Sequence, residues 1–184
     1  MDLATREGIL AFLELQKKAV IGLFDRVGEV RPHAIVFSDR DLDGKPVRDA
    51  HGTPVTEACF VFPDDFGDPL AKDLFTAGLE RMLKDTNAFG VMMISEVWHA
   101  APPPGAGRSA LPRNFSDKPF AERREAIMVI LEHVALEKPV MIYAEIERSN
   151  SGKGYTKPFA DMNDGARHAI VAGRFGHLLR RAAS

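Results

Sequence analysis

Residues 89–98 read Phe-Gly-Val-Met-Met-Ile-Ser-Glu-Val-Trp, and this run of β-branched, aromatic and other apolar residues predicts a β-strand. Alternate residues of a strand lie on opposite faces of a sheet. One face therefore carries Gly90, Met92, Ile94, Glu96 and Trp98. The other face carries Phe89, Val91, Met93, Ser95 and Val97. The first face ends in a carboxylate beside an indole, which is the chemically distinctive part of the strand.

Four more segments predict strands, and they are residues 33–38, 57–62, 125–135 and 140–148. Turn residues such as Asp43-Gly44 lie between the first two of these strands, so residues 39–56 are interpreted as a hairpin tip or a short meander. The stretch 120–137 is ambiguous, because its composition also favours a helix beginning at Pro119. We choose a β-hairpin of 125–135 with 140–148.

Three segments predict helices: about Leu3–Val27, a helix that begins at Pro69, and about Asp164–Arg181. Asp2 is the expected cap of the first helix and Gly28 its expected stop. Strands joined by short turns and flanked by helices are typical of an α+β fold. We predict one α+β domain over residues 1–184. It has a mainly antiparallel sheet of about five strands, with long N-terminal, middle and C-terminal helices packed on one face. The core expected beneath them includes Val91, Met93, Val97, Ile142 and Ile146.

Two segments predict loops. Residues 100–119 contain three consecutive prolines and form a connection longer than compact domains usually keep without structure. We therefore expect a flexible Pro/Gly-rich loop there. Residues 149–158 predict a second flexible loop, rich in Gly and Ser. We find no internal repeat.

Composition excludes several classes of protein. The chain has 24 Lys and Arg against 26 Asp and Glu, a net charge of −2, with 45% apolar residues. These values exclude a disordered tail, a fibrous repeat and a strongly basic coat protein. The one cysteine, Cys59, lies among apolar neighbours and is interpreted as a small core residue. We expect a cytoplasmic protein with no membrane segment, because Glu14, Lys17 and Lys18 interrupt its longest apolar stretch.

A ligand-binding surface is predicted where two strands end. Tyr143 and Glu145 alternate along 140–148, and we expect them to share a face with Glu96 and Trp98. An aromatic ring beside carboxylates can bind a cationic or stacking ligand. Basic residues near the predicted loop add candidate contacts to an anionic group, and these are Arg113, Arg123 and Arg124.

A catalytic alternative uses the same strand. Glu96 with His99 or His133 could act as an acid/base pair beneath the 100–119 loop, in the manner of a small hydrolase. Neither histidine has metal-ligand spacing, and the sequence carries no nucleophile or phosphate-binding motif that we identify. A second alternative is association with nucleic acid through the basic loop and C-terminal helix, which the near-neutral net charge disfavours.

A calcium site at residues 39–44, Asp-Arg-Asp-Leu-Asp-Gly, is considered and set aside. The spacing matches the first half of a calcium-binding loop, but its twelfth position is Ala50 rather than the required Glu. We expect a solvated turn between two strands, no metal and no cofactor.

The segments Ile94-Ser-Glu-Val-Trp98 and Ser116-Asp-Lys-Pro-Phe-Ala-Glu-Arg-Arg-Glu-Ala-Ile-Met-Val129 resemble small uncharacterised bacterial and phage proteins. The resemblance implies no activity, and it favours strand over helix for 125–135. Taken together, the sequence predicts a binding or interaction module without catalytic activity. Its partner is a protein or a small molecule, and we expect it to self-associate as a homodimer.

Overall fold

The computed structural model describes residues 1–63, 68–99, 124–149, 154–161 and 178–182. Its helices are α1 (Arg6–Val27), α2 (Pro69–Asp85) and α3 (Leu178–Ala182). Its strands are β1 (His33–Ser38), β2 (Glu57–Val61), β3 (Gly90–His99), β4 (Arg124–His133), β5 (Val140–Arg148), β6 (Gly154–Thr156) and β7 (Ala160–Asp161). The predicted loop at 100–119 and most of the predicted C-terminal helix, residues 164–177, lie outside the described residues.

The strands form one antiparallel sheet in the order β2-β1-β3-β4-β5-β6, with β7 also paired to β5. This confirms the α+β class, and β1 and β2 pair as a hairpin. The ambiguous stretch is a strand over Arg124–His133, buried along most of its length. Two strands were not predicted, and β6 lies within the stretch interpreted as a flexible loop.

Helices cover both faces of the sheet, so the expectation that they share one face is wrong. The core of the first face, here called the α1 face, joins α1 through Leu13 and Phe24 to strand residues such as Met92 and Ile142. The core of the other face, the α2 face, joins Leu79 of α2 and Leu178 of α3 to a second set of strand residues. Because β1, β3 and β4 are apolar on both sides, each can be buried between two helical layers.

The predicted core set divides between these faces. Val91 and Met93 lie in the α2-face core, with Val97 packed against it, whereas Ile142 and Ile146 lie in the α1-face core. The α2-face layer is also tied by a hydrogen bond, in which the backbone N–H of Leu179 donates to Glu132 Oε2 at 3.0 Å.

Helix ends follow local chemistry. Thr5, and not Asp2, caps α1, because its hydroxyl accepts from the backbone N–H of Gly8 at 3.2 Å. Gly28 ends that helix as predicted, with a left-handed φ of 81° that favours glycine. Asp68 caps α2 by accepting from two backbone N–H groups.

The connection from β1 to β2 is a tandem octapeptide, so the expectation that the chain has no internal repeat is wrong. Its two copies are Arg40-Asp-Leu-Asp-Gly-Lys-Pro-Val47 and Arg48-Asp-Ala-His-Gly-Thr-Pro-Val55. In each copy the Asp Oδ1 accepts from the backbone N–H groups two and four residues later. The copies stack, since the N–H of Val55 donates to the carbonyl of Val47. Three of the eight positions differ between the copies, which makes the repeat hard to recognise in the sequence.

The described part of the chain contains no helix with the length and apolar character that a membrane span requires. Cys59 is exposed, so its interpretation as a core residue is wrong. Cys59 pairs with Val36 and so lies on the α2 face, where its side chain lines a cavity instead of packing into the core.

Candidate functional site

The predicted aromatic and carboxylate surface is divided between two faces. Glu96 pairs with Ile127, which pairs with Ala144, so these three residues share the α1 face. Tyr143 and Glu145 pair with neighbouring positions of β4 and therefore lie on the α2 face. The expectation that Glu96 shares a face with Tyr143 and Glu145 is therefore wrong. In the observed register, the alternation along β5 is shifted by one residue from the expected one.

Glu96 has a structural environment on the α1 face. Its Oε1 accepts from the backbone N–H of Val30 at 2.5 Å, which ties the segment after α1 to the end of β3. Arg148 lies between two carboxylates, with its Nε 2.5 Å from Glu125 Oε2 and its Nη2 3.9 Å from Glu96 Oε2. Burial raises the pKa of Glu96 above its ordinary value despite these interactions.

His133 lies at the opposite end of the sheet from Glu96. It pairs with Gly90, six residues before Glu96 along β3, which corresponds to about 20 Å of strand. Its Nδ1 accepts from the backbone N–H of Ala135, and its Nε2 therefore donates to the carbonyl of Leu3, each at 3.0 Å. Burial lowers the pKa of this imidazole, favouring its neutral form. The structure does not bring Glu96 and His133 together as an acid/base pair.

Arg124 and Glu145, two of the predicted binding residues, contact each other on the α2 face. Arg124 Nη1 lies 3.1 Å from one Glu145 oxygen, and Lys157 Nζ lies 2.8 Å from the other. Lys157 also pairs with Glu147, and its hydrogen bonds to the two carboxylates raise its pKa. Exposed charges that already neutralise one another offer little free energy to a charged ligand.

The remaining predicted site residues lie wholly or partly outside the described part of the structure. His99 and Trp98 end β3 in register with Arg124 and Glu125, and their side chains lie outside the described residues. Arg113 and Arg123 also lie outside them. In the described ranges, no group of His, Cys, Asp and Glu side chains is arranged to hold a metal ion. The Asp-Gly segment at 39–44 forms the predicted turn, in which Asp41 Oδ1 accepts from the backbone N–H groups of Asp43 and Lys45.

An apolar groove on the α1 face was not predicted. It lies between the second half of α1 and the β1–β2 hairpin and has a volume of about 440 Å³. Leu23 and Val27 form the wall from α1, and Phe60 and Phe62 form the wall from the hairpin. Pockets of roughly 300–1,000 Å³ with mainly apolar linings are typical of binding sites. The volume and the mainly apolar lining of the groove fall within the range of such sites.

His33 lies between the two walls and orders the aromatic side. Its ring stacks on Phe62 with centroids 5.3 Å apart and on Phe60 with centroids 6.2 Å apart. Its Nδ1 donates to the carbonyl of Arg31 at 2.8 Å, which fixes the ring in the plane that both phenylalanines use. Despite this stacking, Phe60 remains 48% exposed and Phe62 59% exposed.

The charged residues at one end of the groove are balanced. Glu29 and Arg31 line it there and form an exposed pair with 3.8 Å between Arg31 Nε and Glu29 Oε1. Apart from them the described lining consists of apolar residues, His33 and Gln16. The groove can therefore take an uncharged, apolar occupant without leaving a buried charge unpaired.

A second, more polar cavity of about 340 Å³ lies on the α2 face beneath the first octapeptide. Ser38, one of its lining residues, is occupied in donating to the carbonyl of Thr86. We do not assign a function to this cavity.

The sequence did contain a signal for the groove. Phe60 and Phe62 alternate within the predicted strand 57–62, just before Pro63, and Leu23 and Val27 recur four residues apart near the end of α1. The first pair was assigned to the predicted strand 57–62 and the second to the predicted first helix, and neither was interpreted as part of a binding surface. No known protein family, curated protein or solved structure matches this chain.

Proposed function

We propose that this protein is an interaction module that binds an apolar segment of a protein partner in the groove between α1 and the β1–β2 hairpin. The observation that carries the proposal is the pair of exposed phenylalanines held in place by a buried histidine. Large aromatic side chains dominate the energetics of protein interfaces, and those fixed in advance lose little conformational entropy on binding.

The incomplete helical layer on this face supports the same proposal. α1 packs against the central strands and approaches β6, where its Phe24 lies beside Gly154. At the opposite edge of the same face it leaves Phe60 and Phe62 of the hairpin uncovered. An apolar segment laid beside α1 would cover them, as the second element of a layered fold does.

The proposal includes no catalytic step. Glu96 is occupied by Val30 and Arg148, and His133 by Leu3 and Ala135, so these candidates have structural partners. We also propose a cytoplasmic location, which the free thiol of Cys59 supports.

Selection from a displayed library of random peptides tests the proposal. The matched pair is Phe62→Ser in the groove and Leu74→Ser on α2, since both positions carry exposed apolar side chains, 59% and 65% exposed. We expect the wild-type protein to enrich a set of apolar peptides. Leu74→Ser should bind these peptides with the affinity of the wild type, whereas the affinity of Phe62→Ser for them should be at least tenfold lower. Circular dichroism and thermal unfolding establish that both variants are folded. If no peptide is enriched, or if Phe62→Ser binds the enriched peptides as wild type does, the groove is not the binding site.

A further inference from the structure

Among the described residues, the strand β2 lies at the edge of the sheet and pairs only with β1. No described strand pairs with the backbone N–H and C=O groups on its outer side. Soluble proteins usually protect such an edge with lysine, proline, a bulge or a covering segment. Glu57–Val61, which reads Glu-Ala-Cys-Phe-Val, contains neither lysine nor proline and carries exposed Cys59 and Phe60.

We infer that a second copy of this chain pairs with β2, antiparallel to it, to form a homodimer with one continuous sheet. The inference rests on the proposed function, because Phe60 contributes both to the groove and to the edge. Two identical edge strands that pair antiparallel are related by a two-fold axis normal to the sheet. In this arrangement the outer backbone N–H and C=O groups of the two β2 strands pair with each other, and α1 of both copies lies on the same face of the joined sheet.

The side chains of β2 are compatible with their own copy when the axis passes through Cys59. In that register Phe60 lies opposite the partner's Ala58, so a large side chain meets a small one. Glu57 is the single charged residue of the strand, and it lies opposite the partner's Val61. No like charges therefore face each other across the new pair of strands, an arrangement that would otherwise destabilise it.

The two-fold axis also joins the two grooves. The α1 face of one protomer continues into the α1 face of its partner, so Phe60 and Phe62 of both copies lie between the two α1 helices. The balanced Glu29 and Arg31 pair adds no net charge that would repel the second copy. The binding site of the dimer is then one aromatic-floored cleft instead of two separate grooves.

Sedimentation velocity under reducing conditions tests whether the edge makes the dimer. Cys59→Lys places two lysines opposite each other at the axis, and Leu74→Lys adds the same charge on α2. Because both positions are exposed, we expect both variants to stay folded. The wild type and Leu74→Lys should sediment as dimers, and Cys59→Lys should have a dimer dissociation constant at least tenfold higher. A wild type that stays monomeric over the micromolar range, or a dimer unaffected by Cys59→Lys, would overturn the inference.

Disulfide formation tests the register, because Cys59 is the only cysteine in the chain. Mild oxidation should convert the wild type to a covalent dimer rapidly, whereas the double variant C59S/L74C, which keeps the β2 edge but has its thiol on α2, should form little covalent dimer. Equal rates for the two proteins would contradict pairing at Cys59. A monomeric chain that still binds peptides through Phe62 would refute the homodimer and leave the proposed function standing. A dimer whose groove selects no peptide would refute the proposed function alone.

Discussion

His33 stacks on Phe62 with ring centroids 5.3 Å apart and planes inclined by 28°. The histidine is buried in β1, whereas the phenylalanine lies just beyond the end of β2 and is largely exposed. A rigid residue of the sheet therefore holds an exposed ring in a defined orientation. This relationship distinguishes the groove from a chance exposure of apolar side chains, which is common on protein surfaces.

The octapeptide glycines should be more sensitive to substitution than a helical glycine. Gly44 and Gly52 have φ values of 76° and 79°, so Gly44→Ala and Gly52→Ala should each lower the free energy of unfolding by about 1–2 kcal/mol. Gly78→Ala in α2 is the control, because open space surrounds that position. It should raise stability by about 0.5–1 kcal/mol. Urea titration measures all three, and equal effects in turns and helix would show that the repeated turns are not rigid.

Glu96 should contribute to stability through its hydrogen bond to Val30 and not through its charge. Glu96→Gln keeps an oxygen acceptor, so its stability at pH 7 should equal or exceed that of the wild type. Glu96→Ala leaves the buried N–H of Val30 unpaired and should cost about 1–3 kcal/mol. A glutamine variant as unstable as the alanine variant would show that the ion pair with Arg148 is the important interaction.

The pH dependence of the Glu96→Gln comparison follows from the raised pKa of Glu96. The folded chain holds the proton more tightly than the unfolded chain, whose ordinary pKa is near 4.5. The resulting stabilisation is complete below that pH and is lost as pH rises through the folded-state pKa. The stability of Glu96→Gln relative to the wild type should therefore increase as pH rises above about 4.5 and then become constant. A constant difference across this range would contradict the raised pKa.

His133 should make the protein less stable in mild acid. Its pKa is lowered in the folded state by burial, and protonation would remove the acceptor that Nδ1 offers to Ala135. The stabilisation is present above the unfolded value of 6.5 and is lost as pH falls through the folded pKa. Unfolding titrations of the wild type should therefore show stability declining below about pH 6.5, and His133→Gln should reduce that decline.

His51→Gln is the control for this measurement, because His51 is exposed in the second octapeptide. Removing it should leave the slope of stability against pH unchanged. If His51→Gln and His133→Gln had the same slope, the acid sensitivity would not arise from the buried imidazole.

Much of the fold could be predicted because each element has a strong local signal. The alternation in 89–98 and the helix start at Pro69 both predicted elements that the structure confirms. Local alternation assigns residues to one of two faces within a strand, but it does not relate the faces of different strands. That relation depends on register, and a shift of one residue exchanges the faces. Because β4 is apolar on both sides, its sequence does not show which face of β3 continues into which face of β5. Glu96 was therefore predicted to share a face with Glu145.

The groove was not predicted for a related reason. Phe60 and Phe62 have the pattern of a buried strand, and whether such a strand is covered depends on where α1 crosses the sheet. That crossing is set by long-range contacts such as Phe12 on Phe37 and Phe24 beside Gly154. The alternation of a single strand carries no information about these contacts.

Hydrogen exchange at β2 is the most direct test of the claim that the groove and its open edge form the binding surface. Amide exchange would be followed for Glu57–Val61, with α2 as the internal reference. The rates would be compared between the dilute chain and the chain with its occupant bound, which is either a selected peptide or a second copy. We expect slower exchange in β2 on binding and unchanged exchange in α2. Protection that appears elsewhere, with β2 exchanging at the same rate free and bound, would contradict it.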